Sequence, residues 1–117
     1  MINSGIANAC TGAEGMDYCR QTAIAAAKAL NRQTAGAAAD ALNRQAAETK
    51  TGGRAGQEGS IDPSAILVAS TGVIGMQLPM DRIRAGIDML VPGLDACRPA
   101  ANAAARAIIT TDTKEKE

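Results

Sequence analysis

Of the 54 apolar residues in this 117-residue chain, 26 are alanine. That ratio constrains the fold more than any other feature. Alanine buries one methyl group, so a core built from it gains little hydrophobic free energy per residue. Ile, Leu and Val together supply only 19 of the 117 residues, Phe and Trp are absent, and Tyr18 is the sole aromatic residue. Such a share is thin for a packed core. Disorder would also call for high net charge, whereas 12 basic residues here balance 12 acidic ones. The composition therefore predicts alanine-rich helices that lean on a partner or on further sequence.

The same counts exclude several functions. Histidine is absent, so the chain alone builds no Ser-His-Asp triad, Cys-His dyad or His-ligated metal site. Zero net charge leaves no electrostatic footprint for nucleic acid. The lack of aromatic residues removes stacking platforms for single strands. No apolar run approaches the ~20 residues needed to span a bilayer. The opening MINSGIANAC has neither a basic region nor a long apolar stretch, so it is not read as a secretory signal. Cys10, Cys19 and Cys97 are odd in number and lack CxxC spacing. That favours a reduced, cytoplasmic protein whose cysteines are small buried hydrophobes.

Along the chain, Ile2–Ala9 reads as an opening strand with turn-favouring Asn3, Ser4, Gly5 and Asn8. Thr11-Gly12-Ala13-Glu14 fits a capping box, with Thr11 at the N-cap and Glu14 at N3. A helix is expected from about Gly12, with Met16, Cys19, Ala23, Ala26, Ala27 and Leu30 on its inner face. The pentapeptide Ala29-Leu30-Asn31-Arg32-Gln33 recurs as Ala41-Leu42-Asn43-Arg44-Gln45. One copy is a local duplication rather than a repeat architecture. Gly36 weakens the helix at the junction. Thr49–Ser60 holds four glycines and reads as a flexible loop.

Ile66–Ser70 is the only strongly apolar, β-branched run, and it predicts a buried strand ending at Thr71-Gly72. A helix beginning near Pro79 carries the stripe Met80, Ile83, Ile87, Leu90 and Val91 and stops at Pro92-Gly93. A last helix, around Pro99–Ile109, presents Ala100, Ala103, Ala104, Ala107 and Ile108, and Thr110–Thr113 leaves it. The tail, residues 114–117, alternates in sign and is expected to be solvated. The order strand, helix, loop, strand, helix, helix places the chain in the α/β class.

Two segments offer chemistry. Thr71 and Gly72 pair a hydroxyl with a glycine N–H at a strand end, which suits an oxyanion. The bland alternative is a strand-terminating turn. The hydroxyls of Thr110–Thr113 suit a polar substrate, or simply the free carbonyls of a helix end. Asp81 reads as a helix-dipole partner rather than a catalytic acid.

Three segments carry a family resemblance when taken in order. Asn3–Gly12, Leu67–Gly75 and Ala104–Thr113 resemble the NSGNANACTG, LVASTGVIG and AARAIMTTDT segments of the bifunctional ornithine acetyltransferase / glutamate N-acetyltransferase family of arginine biosynthesis. The resemblance implies an incomplete piece of that family's α/β fold, spanning residues 1–117 and belonging to the first (alpha) subunit. It implies acetyl transfer from N-acetylornithine to glutamate by a ping-pong route, with acetyl-CoA accepted by some members. The family's nucleophile is a threonine freed by self-cleavage and activated by its own α-amine, so no histidine is needed. By resemblance, Thr71 and Gly72 form the oxyanion hole and Thr110 contacts substrate. No cofactor or metal is implied. The expected partner is the beta subunit, in an alpha/beta heterotetramer.

Ile6 departs from the pattern, standing where the family has Asn. Residues 31–60 exceed the family's usual link and read as a surface insertion. The nucleophilic threonine segment and the second subunit have no counterpart in these residues, so the chain alone is expected to be inactive. A competing reading is a non-catalytic, alanine-rich helical interaction module or a pseudogene product.

Overall fold

The computed structural model describes residues 1–48 and 59–110. Strand β1 (Ile2–Ile6) and strand β2 (Ala69–Val73) form a two-stranded parallel sheet. Between them runs helix α1 (Gly12–Glu48). Helix α2 (Met80–Leu90) and helix α3 (Arg98–Ala107) follow. This mixture of helices with a small parallel sheet is consistent with the α/β class.

The strand register runs from Ile2 opposite Ala69 to Ile6 opposite Val73, with no bulge. Thr71 and Gly72 consequently lie inside β2, not beyond its end. Ile66–Val68, expected as strand, precede it, and Leu67 is 86% exposed. Apolar content placed the strand too early, because pairing with β1 sets its limits.

Helix α1 is entered through two left-handed residues, Cys10 (φ 59°) and Gly12 (φ 64°). The expected capping box is replaced by other partners. The Thr11 hydroxyl donates to Asn8 Oδ1 at 2.6 Å, and the Glu14 carboxylate accepts from the Tyr18 hydroxyl. Asn8 also donates to the Gly15 carbonyl at 2.7 Å. Gly15 leaves room for this knot, since a Cβ there would lie 1.9 Å from Thr11 Oγ1.

The helix passes through Gly36 and ends at Glu48. One interior glycine costs only about 1 kcal/mol, and alanine-rich neighbours offset it. The first ALNRQ copy and the backbone of the second therefore share one helix, whereas most of the glycine-rich loop (49–58) lies outside the described residues. The Asn31 side chain pins the far end of this stretch. Its amide donates to Ile61 O at 3.0 Å and to Ser60 Oγ at 2.9 Å, and its carbonyl accepts from Ile61 N at 2.8 Å.

The core lies between α1 and α2. Ala26 and Ala29 leave space into which Met80, Ile83, Ile87 and Val91 pack, with Leu78 at the edge. Thr22 is buried there, satisfied by donating to Tyr18 O at 2.8 Å. Two expected core members point elsewhere: Met16 is 56% exposed and Leu90 61%. The stripe continues from Ile87 to Val91 one turn later and leaves Leu90 on the flank. None of the cysteines is buried: Cys10 and Cys97 are exposed and Cys19 half-exposed. Helix α3 buries no residue at all, so its alanine face is not covered by the described residues. Among the described residues no helix is long and apolar enough to cross a membrane.

Candidate functional site

The end of α3 and the residues after it face the sheet across an open cleft of about 690 Å³. Ser4 and Gly5 of β1, Thr71, Gly72 and Val73 of β2, and Ala107, Ile109 and Thr110 line it. The structure thus brings Thr71, Gly72 and Thr110 together, although 37 residues of sequence lie between Gly72 and Thr110. Thr111, Asp112, Thr113 and the tail lie outside the described residues.

The backbone of Gly72 is fixed by its neighbour strand. Its φ is 126°, a conformation that L side chains rarely adopt. A Cβ at this position would sit 2.3 Å from both the carbonyl carbon and oxygen of Gly5. Only glycine lets β1 and β2 close at this step.

The ladder decides where the Gly72 N–H points. In a parallel pair, alternate residues turn both backbone groups toward the partner strand. Ala69 N–H donates to Met1 O at 2.9 Å, and Ala7 N–H donates to Val73 O at 2.8 Å. With the unbroken register, Ala69, Thr71 and Val73 therefore face β1. Ser70 and Gly72 turn their N–H and C=O to the open edge of β2. Among the described residues the Gly72 N–H is a free donor beside the Thr71 side chain.

The hydroxyls around the sheet fall into two sets. Ser70 Oγ accepts from Asn8 N–H at 2.7 Å, and Thr11 and Thr22 are bonded as described above. Ser4, Thr71 and Thr110, all in the cleft, have no side-chain hydrogen-bond partner among the described residues. Ser4 was not singled out by the sequence, because only the strand register shows that it stands opposite Thr71.

Among the described residues, none that lines the cleft is ionisable. The cleft can hold an oxygen with hydrogen bonds, but its described residues supply neither a base nor an activated nucleophile. The shifted titratable groups lie elsewhere. Tyr18 is pushed up by its hydrogen bond to Glu14, and Asp62 is pulled down by accepting from Ser64. The groove between α1 and α2 carries charges on the surface: Arg32 pairs with Asp88 at 2.5 Å, Arg84 donates to Gln21 at 2.5 Å, and Lys28 lines the same groove. Among the described residues no cluster of three His, Cys, Asp or Glu side chains could hold a metal ion.

The ArgJ family model matches residues 1–117. The arginine biosynthesis bifunctional protein ArgJ of Thermotoga neapolitana is 38% identical over 115 residues, covering 98% of this chain and 21% of that protein. The glutamate N-acetyltransferase of Methanothermobacter thermautotrophicus is 36% identical over 117 residues, covering all of this chain and 22% of that protein. The crystal structure of ArgJ from Bacillus halodurans superimposes with a TM-score of 0.65 at 33% identity, over 97% of this chain and 43% of that one. The chain thus spans about a fifth of the length of the curated relatives it matches.

Proposed function

Because the chain belongs to the ArgJ family, we propose that it supplies the oxyanion hole and part of the substrate pocket of a glutamate N-acetyltransferase. The observation that carries this reading is the cleft itself, where an idle Thr71 hydroxyl and a free Gly72 N–H stand side by side with Thr110 across from them. Such donors stabilise the negative charge that develops on a carbonyl oxygen during acyl transfer. The names of the relatives give arginine biosynthesis and glutamate N-acetylation; the reaction proposed for this chain is transfer of acetyl from N2-acetyl-L-ornithine to L-glutamate, with acetyl-CoA as a second donor.

In the proposed mechanism the carbonyl oxygen of the acetyl donor sits between Thr71 Oγ and Gly72 N–H. A threonine nucleophile from sequence outside these 117 residues attacks the carbonyl carbon, its α-amine taking the proton. The two donors hold the oxyanion, ornithine leaves, and glutamate collects the acetyl group in the second half of the cycle. Thr110 contacts the substrate from the far wall. The uncharged lining among the described residues suits this division of labour, since the base and nucleophile come from the complementary part, the beta subunit of an alpha/beta heterotetramer. The chain is then a partial alpha-subunit domain acting in the cytoplasm, and the exposed face of α3 is where the rest of the enzyme packs. Residues 31–60 form a surface insertion, a reading supported by the Asn31–Ile61 clamp that ties its ends.

The test is complementation. The chain alone should give no transfer from N-acetylornithine to glutamate, and co-expression with the remaining family sequence should give it. In the complemented enzyme Thr71→Ala should lower kcat by about 10²–10³, as for comparable oxyanion donors. Turnover by the purified chain, or an unchanged kcat in the variant, would overturn the proposal. The outcome that favours an interaction module instead is stable assembly with the complementing sequence but no turnover.

A further inference from the structure

Ser4 has no role in the mechanism above, yet it is built into the same cleft. It stands opposite Thr71 in the strand register, lines the cleft beside Gly5, and its hydroxyl has no partner among the described residues. The strand beneath it is held close, since the Gly5 backbone occupies the space a side chain at Gly72 would need.

Its position relative to the proposed oxyanion site decides what it can touch. The Gly72 N–H points away from β1, past the open edge of β2, as the ladder alternation requires. Ser4 is on β1, about 4.8 Å to the other side of Thr71. An oxygen held by Thr71 and the Gly72 N–H is therefore out of reach of Ser4. The ligand group that meets Ser4 must be displaced from the reacting carbonyl by about one strand spacing, toward β1. In an N-acyl amino acid the α-carboxylate carbon is three bonds from the acyl carbon, roughly 4 Å in an extended arrangement, with its oxygens further out.

We infer that Ser4 is a specificity residue, whose hydroxyl donates a hydrogen bond to the α-carboxylate of an N-acyl amino acid bound with its carbonyl at Thr71 and Gly72. The inference rests on the proposed acyl-transfer reading of the cleft. It extends that reading by assigning a ligand contact to β1. The contact is made equally before and during the reaction, so it governs which donors bind rather than the speed of the chemical step.

The experiment compares two acetyl donors in the complemented enzyme: N-acetyl-L-ornithine and its analogue lacking the carboxylate. A hydroxyl that bonds a charged group is worth about tenfold in discrimination. Ser4→Ala should reduce the preference in kcat/KM for the carboxylated donor about tenfold, through KM, and Ser4→Thr should restore it. Thr71→Ala should lower kcat for both donors and leave the preference intact. If Ser4→Ala slows both donors alike or changes neither, the Ser4 contact is wrong while the oxyanion reading stands. If Thr71→Ala leaves kcat unchanged, the oxyanion reading itself fails and the Ser4 inference falls with it.

Discussion

On one side of the sheet the Ser70 hydroxyl accepts from Asn8 N–H, and Asn8 in turn binds Thr11 and Gly15. On the other side Thr71, the next residue along the same strand, and Ser4 opposite it have no side-chain partner among the described residues. The residue types are alike and their treatment is opposite. Polar groups that hold a fold together tend to be satisfied within it. Hydroxyls left idle in a cleft, beside a free backbone N–H, are available to something that is not part of the chain.

The largest expected effect tests whether the cleft backbone is rigid even though its hydroxyls are idle. Gly72→Ala introduces a Cβ 2.3 Å from the Gly5 backbone, at a φ of 126°. Strain and overpacking together should cost at least about 3 kcal/mol in urea unfolding. Gly5 makes the control, because its φ is also positive at 111° but nothing lies within 4 Å of an added Cβ. Gly5→Ala should cost about 1–2 kcal/mol, from strain alone. Equal losses in the two variants would show that the close strand approach does not hold in solution.

The next effect probes the satisfied side. Asn8→Ala removes the bonds to Gly15 and Thr11 that fix the entry to α1. It should destabilise the chain by about 1–3 kcal/mol in the same assay. A loss below about 0.3 kcal/mol would erase the distinction between the two sides.

The smallest effect lies far from both. Hydrogen bonding from the Ser64 side chain, and then from Ser64 N–H at 2.8 Å, holds the Asp62 carboxyl below the ordinary range. A carboxyl depressed in the folded state contributes stability above its unfolded pKa and loses it as pH falls through the folded value. Asp62→Asn should therefore flatten part of the acid side of the stability profile. Identical profiles between about pH 5 and pH 2 would contradict this.

The sequence exposed some of this and hid the rest for physical reasons. Met80, Ile83, Ile87 and Val91 were legible because large apolar residues at three- and four-residue spacing mark one helix face. Alanine carries little such signal, so the inner face of α1 was misjudged at Met16, and the exposure of α3 could not be read at all. Strand limits depend on the partner strand, which is why Ile66–Val68 were placed in β2 and Thr71 at its end. Thr71, Gly72 and Thr110 were visible through their residue types and the family resemblance. Ser4 was not, because only the pairing of β1 with β2 brings it to the cleft.

The central claim is that Thr71 serves a ligand and not the fold. One paired measurement tests it most directly: the urea midpoint of Thr71→Ala in this chain, beside its kcat in the complemented enzyme. The account predicts a stability change within about 0.5 kcal/mol and a kcat lower by about 10²–10³. A marked loss of stability, with kcat little altered, would contradict it.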